Sequence, residues 1–132
     1  MALITREKYI ASLKRMRPNV YKFGELITDV TTHPATKRTV ESHARGFDSA
    51  HDPKLGELFT ATSYLTGNKI HRFNGLLKNM EDVISSAKMK RKLYHLTGTC
   101  TGGFCVGWNA QNVLWAVCSE MDKEYGTSYL QR

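Results

Sequence analysis

Gly98-Thr99-Cys100-Thr101-Gly102-Gly103-Phe104-Cys105-Val106-Gly107-Trp108 is the stretch on which the reading of this chain turns. It holds two of the three cysteines, with four residues between them. A basic run of helical spacing enters it and an amphipathic run leaves it. Its glycines and threonines allow the backbone to bend tightly and to approach a ligand closely. Cys105 stands at the expected start of a helix, where the dipole favours the thiolate that binds metals. Cys100 closes the preceding helical run, so a short turn can fold both sulfurs toward one point. That geometry suits two ligands of an iron–sulfur cluster or of a zinc ion. The same pair also reads as two ordinary packed thiols. Cys118 lies more than about three helical turns beyond Cys105, too far along to join them. A complete site therefore needs histidines of this chain or ligands from another.

Upstream of the cysteine loop, Asn79 caps a helix with Glu81 and Asp82 in its first turn. Met80, Val83, Ile84, Ala87 and Tyr94 form its expected buried stripe, and Lys88, Lys90, Arg91 and Lys92 crowd its end. Those cations suit the helix dipole and also bring positive charge to the mouth of the cysteine loop. Beyond the loop, a helix from about Cys105 to Tyr125 is ended by Gly126. Its expected buried face is Val106, Ala110, Val113, Leu114, Val117 and Met121, with Cys118 as a packed core thiol. Trp108 and Trp115 share a face, either in the core or against a missing neighbour. Residues 127–132 carry no helix or strand pattern.

Toward the N-terminus, Thr5 caps a first helix whose inner face is Tyr9, Ile10, Leu13 and Met16, and Pro18 ends it. Val20-Tyr21-Lys22-Phe23 and Leu26 to Val30 flank Gly24-Glu25 as a small hairpin. His33-Pro34 opens a second helix with Val40, Ala44 and Phe47 inward, closed by Asp52-Pro53. His43 and His51 read as surface or capping residues. Lys54 to Phe59 is a short helix and Thr60 to Asn68 a loop. At His71-Arg72-Phe73, Arg72 either meets a phosphate or flavin or belongs to a surface pair at a helix start.

The 132 residues suffice for a single helical domain, residues 1–132, with a small core, and a hydrophobic fraction of 41% argues against disorder. No apolar run approaches a membrane span, and the N-terminus lacks a signal-peptide pattern. An odd cysteine count argues against a disulfide framework and for a reducing cytoplasmic setting. The net charge of +7 is not gathered into one block, so it points to a phosphorylated ligand or a solvated basic surface rather than to nucleic acid. There is no G-x-G-x-x-G, P-loop or hydrolase triad motif.

Thr97-Gly98-Thr99-Cys100 followed by Cys105-Val106-Gly107-Trp108-Asn109-Ala110 resembles the cluster-binding segment of the 4-hydroxybutyryl-CoA dehydratases, which are also vinylacetyl-CoA isomerases. These enzymes form a branch of the flavin-dependent 4-hydroxyphenylacetate 3-hydroxylase superfamily. Glu7 to Leu13, Val20 to Glu25, Thr32-His33-Pro34, Ala61 to Gly67, Asn68 to Phe73 and Lys88 to Arg91 resemble the family in the same order, so the likeness spans nearly the whole chain. The dehydratases carry three residues between the cysteines and this chain carries four, the extra one falling in an expected Gly-Gly turn. The oxygen-using branch resembles Arg-Ser-Pro-Asp-Tyr here, without cysteines.

The resemblance implies a mostly α, helical N-terminal domain with a small β-hairpin, in an acyl-CoA-dehydrogenase-like context. Family chains are several times longer, and a β domain and a C-terminal helical domain follow this one. The resemblance therefore implies a companion chain carrying those domains, a higher oligomer, and a fragment or subunit that is inactive alone. It implies FAD held mostly by the later domains, with Arg72 and Arg91 on the cofactor side. It further implies a [4Fe–4S] cluster ligated by Cys100 and Cys105 here and by a His and a Cys elsewhere. The implied reaction is loss of water from a 4-hydroxyacyl-CoA, with the catalytic base in the companion. Two rival readings are a helical domain of a flavin monooxygenase acting on a phenol, and a non-catalytic interaction module that keeps the fold without the chemistry.

Overall fold

A computed structural model describes residues 3–16 and 19–131 of the chain. Five α-helices and two small antiparallel hairpins follow one another as α1 (Arg6–Met16), β1 (Val20–Lys22), β2 (Glu25–Ile27), α2 (Pro34–His51), α3 (Gly56–Phe59), β3 (Thr60–Thr62), β4 (Lys69–His71), α4 (Met80–Thr97) and α5 (Gly102–Tyr125). Short 3-10 turns cover Arg72–Asn74 and Tyr129–Gln131. The architecture is mostly helical, as the sequence predicts. No helix among the described residues is long and apolar enough to cross a membrane.

Local chemistry sets most boundaries. The Thr5 hydroxyl accepts from the Lys8 N–H at 3.4 Å at the start of α1. His33 caps α2 through Nδ1, which accepts from the Ala35 N–H at 3.2 Å, and Pro34 supplies a pre-set first turn. Asn79 and Asp82 form a reciprocal capping box on α4. The α1 terminator proposed at Pro18 lies outside the described residues. The first hairpin turns through Phe23 and Gly24, both at positive φ (54° and 84°), the backbone sense that matches strand twist.

The segment expected as a loop from Thr60 is in part a second hairpin. Thr60 pairs with His71, Ala61 with Ile70 and Thr62 with Lys69. Three residues are too few for a period-two pattern to register, so the pairing was not visible in the sequence. Ser63 to Asn68 form the connecting loop.

The core gathers Phe47, Ala50, Phe59, Phe73, Met89 and Leu93, with Tyr9, Leu58, Leu96 and Phe104 packed around it. The α2 face predicted from Val40, Ala44 and Phe47 is buried as expected. Phe59 is fully buried, which is worth about 1.5–3 kcal/mol of apolar transfer. Arg6 pins α1 to α2 by ion pairs to Glu41 and, at 3.0 Å, to Asp48.

Two predicted faces are overturned. On α4 the buried residues are Ser86, Met89 and Leu93, whereas Met80, Val83, Ile84 and Tyr94 are exposed. On α5, Val106, Val113, Leu114 and Val117 are exposed too, Val106 by 70%. Periodicity identifies an apolar stripe but not what covers it. These two helices present to the outside the stripes expected to face the core. Met16, expected on the inner face of α1, is also exposed.

His71 lies inside this core, stacked on Phe73 with ring centroids 5.1 Å apart and edge-on to Phe47. Its Nε2–H donates to the Ile4 carbonyl at 3.1 Å, which leaves Nδ1 buried without a partner among the described residues. Burial pushes the imidazole below its ordinary value; the Ile4 bond opposes this and nearby His51 adds to it. The unfolded chain therefore binds the extra proton first as pH falls. Stability is complete above about pH 6.5 and declines below it, by at most about 1.4 kcal/mol per pH unit for one proton. The unfolding midpoint of His71→Gln is expected to fall less steeply between pH 7.5 and 5.5 than that of the native protein. Equal slopes would show that His71 is not the group responsible.

Candidate functional site

The candidate site is the corner between α4 and α5. Gly98 ends α4 in the left-handed region (φ 65°), and its N–H returns to the Tyr94 carbonyl at 2.9 Å. The Thr97 hydroxyl bonds within the corner, to the Leu93 and Thr99 carbonyls. Thr101 is buried and precedes α5, which begins at Gly102, three residues before the expected start at Cys105. The Gly102-Gly103 pair thus opens the helix instead of making a free turn. Cys105 stands in that turn, where backbone N–H groups lack intrahelical partners.

All three cysteines are free; Cys100 is exposed, and Cys105 and Cys118 are half-buried. The structure brings Cys100 and Cys105 into one corner, but they border different spaces. Cys100 opens on a groove of about 860 Å³ between α2 and the end of α4. Cys105 borders a small apolar recess with Phe73, Met89, Leu93 and Trp108. Among the described residues no group of three or more His, Cys, Asp or Glu side chains could hold a metal ion. Thiols are the donor type that a thiolate metal site uses, and with two of them a complete site would require its other ligands from elsewhere.

Phe104, between the two cysteines, fixes the corner to the core. Its ring stacks on Phe73 (4.2 Å, 19°) and meets Phe47 and His43 edge-on at 5.7 and 4.9 Å. Gly46 of α2 admits that ring: a Cβ there would lie 2.7 Å from Phe104 Cε2. On its other side α5 is held by polar bonds. Trp108 Nε1–H donates to the Gly75 carbonyl at 3.1 Å, and Asn112 accepts from the Leu77 N–H at 2.7 Å. Sequence reasoning missed Gly46, Phe104 and Asn112, since close approach and clamping of a loop carry no periodic signal.

The two arginines singled out by the sequence are placed differently. Arg72 donates from Nε to the Leu58 carbonyl at 2.7 Å and from Nη2 to the Glu57 carbonyl at 3.1 Å. It thereby satisfies carbonyls of α3 that have no partner within the helix. Burial pushes its guanidinium below the ordinary value, while Asp82 and Glu57 act in the opposite sense. Arg91 is exposed on α4 and borders neither the groove nor the recess. The groove is instead lined on one side by Lys37, Arg38 and Arg45 of α2. The seven-residue spacing of Arg38 and Arg45, which puts them on one helix face, is visible in the sequence.

The fold is that of a mostly helical domain with two free thiols, Cys100 and Cys105, at the α4–α5 corner. The sequence profile described as 4-hydroxyphenylacetate 3-hydroxylase N terminal matches residues 5–132. The chain belongs to this family. It is 36% identical over 127 residues, 96% of its length, to the 4-hydroxybutyryl-CoA dehydratase/vinylacetyl-CoA-Δ-isomerase of Clostridium aminobutyricum. An oxygen-tolerant archaeal 4-hydroxybutyryl-CoA dehydratase from N. maritimus superposes with a TM-score of 0.88 at 35% identity over 96% of the chain. The oxygenase component of 4-hydroxyphenylacetate 3-monooxygenase complexed with FAD superposes over 68% of the chain, with a TM-score of 0.59 at 29% identity. The chain spans about a quarter of the two dehydratases, 26% and 25% of their lengths, and 19% of the oxygenase component.

Proposed function

We propose that this chain is the N-terminal helical part of a FAD- and [4Fe–4S]-dependent acyl-CoA dehydratase/isomerase, residues 1–132 forming one domain. In this reading Cys100 and Cys105 are two of the cluster ligands. The observation that carries it is the α4–α5 corner, which sets a free thiol at each end of a five-residue step in a chain similar to dehydratases over 96% of its length. Likeness to the FAD-bound oxygenase component reaches only 68% of the chain, which favours the dehydratase branch over the phenol hydroxylase.

When bound, the cluster would supply a Lewis acid for the substrate hydroxyl and the flavin the redox chemistry of C–H removal. The residues of this chain hold and position. Phe104 seats the corner, Thr101 and Gly98 shape it, and the exposed stripes of α4 and α5 receive the remaining domains. In this reading those stripes are covered by a β domain and a C-terminal helical domain, in a companion chain within a higher oligomer; the relatives' roughly fourfold greater length supports it. Arg91 enters this reading as an exposed cofactor-side cation. Arg72 contributes only that part of its guanidinium not committed to α3. The setting is the cytoplasm, in keeping with three free thiols.

The test is iron, acid-labile sulfide and flavin content, with an absorption spectrum, on the assembled protein purified without oxygen. Iron, sulfide and flavin together are expected. Flavin without iron would move the chain to the hydroxylase branch, and an intact assembly with neither would leave a non-catalytic interaction module.

A further inference from the structure

Arg38 and Arg45, seven residues apart, share one face of α2, and Lys37 stands about a quarter-turn from them. All three line the groove that ends at Cys100. Among the described residues the ion pairs are those of Arg6 to Glu41 and to Asp48, so these three cations have no carboxylate partner. Glu41, the acid in the groove wall, is already engaged by Arg6. Unneutralised like charges on one helix face repel, which stabilises nothing unless an anion fills the space between them. Thr39, Ser42 and Thr99 add hydroxyls to the lining, and the groove's volume of about 860 Å³ is that of a site for a nucleotide-sized ligand.

We propose that this groove binds the phosphate-bearing end of the acyl-CoA substrate: the adenosine 3′-phosphate 5′-diphosphate lies along α2 against Arg38 and Arg45, and the pantetheine runs toward Cys100. The assignment rests on the acyl-CoA reading above and adds to it where the substrate's charge is held. Arginine presents a planar fork to phosphate oxygens, so Arg38 and Arg45 carry the recognition and Lys37 adds a point charge. The orientation follows from the groove itself, which has its cations on α2 and its thiol at the α4–α5 corner.

The experiment is calorimetric titration of the assembled protein with coenzyme A, 3′-dephospho-coenzyme A, pantetheine and inorganic pyrophosphate. Native protein is compared with Arg38→Gln, Arg45→Gln, the double variant, the Lys replacements, and Lys8→Gln as a control outside the groove. Each Gln variant is expected to weaken coenzyme A binding by about 10-fold. The Lys replacements should recover part of the loss and Lys8→Gln should change nothing. Iron and flavin content should be unaltered throughout. With those cofactors present, coenzyme A affinity within twofold of native in the double variant would overturn the groove assignment alone. Pyrophosphate binding as tightly as coenzyme A, and lost in the same variants, would assign the groove to a free phosphate and overturn it as well. Absence of iron and flavin from the native assembly would instead fail the reading on which the assignment rests.

Discussion

Cys100→Ser is expected to strip most of the iron from the assembled protein and, on the dehydratase reading proposed above, to lower turnover by about 100-fold or more. Removal of outer-shell partners of a metal site already costs about 10–100-fold, and serine puts a hard, poorly matched oxygen in place of a soft thiolate ligand. Cys105→Ser should have the same effect, because a half-site with one thiol cannot hold its share of the coordination. Cys118→Ser is the control. That thiol is half-buried well along α5, away from the corner, and its replacement should leave iron content and activity near native. Iron analysis beside activity separates a lost ligand from a lost fold, and thermal unfolding of each variant completes the separation. Retention of full iron in Cys100→Ser would sink the ligand assignment.

The second large effect is expected at the contact between Gly46 and Phe104. Phe104→Ala removes a ring that touches Phe73, Phe47 and His43, at a cost of about 3 kcal/mol. Gly46→Ala puts a methyl 2.7 Å from the ring edge. The ring is held by three aromatic neighbours and has little room to retreat, so this overpacking should cost about 1–3 kcal/mol. The two substitutions should not add. In the Phe104→Ala background the new methyl meets space, and Gly46→Ala becomes nearly neutral. Denaturant unfolding of the four members of this cycle measures the coupling directly. Additive losses would mean that the ring moves aside freely and that α2 does not set the position of the corner. Because Phe104 lies between the two cysteines, iron content should fall along with stability in Gly46→Ala.

What the sequence made legible follows from the kind of signal each feature carries. Caps and breakers act locally, so Asn79, His33-Pro34, Asp52-Pro53 and Gly126 mark real ends. The inner face of α2 was legible because its neighbours lie within this chain. The stripes of α4 and α5 were equally periodic, yet they lie open, since periodicity reports that a face wants cover and not which atoms provide it. The cysteine pair was legible as two free thiols near one corner. The start of α5 at Gly102 was not, because two glycines read as a turn until Thr101 and Phe104 are seen anchoring the helix at either side of them. Arg72 looked like a ligand-facing cation beside a loop and is engaged with backbone carbonyls of α3, partners 14 and 15 residues earlier in the chain that a dipeptide cannot show. His71 was noted only as its neighbour, although it is one of the few polar side chains in the core.

The bare stripes have a consequence for how this chain tolerates change over generations. Along α5, a substitution of Val113 or Leu114 by a polar residue leaves the chain's own packing untouched, because both side chains are more than 60% exposed. Under the cover proposed above for these stripes, the same substitution would strand a polar group against an apolar surface. Selection would then act on these positions through the neighbour alone. Drift in one partner would be answered by drift in the other, and paired substitutions would accumulate across a boundary that the chain by itself does not possess.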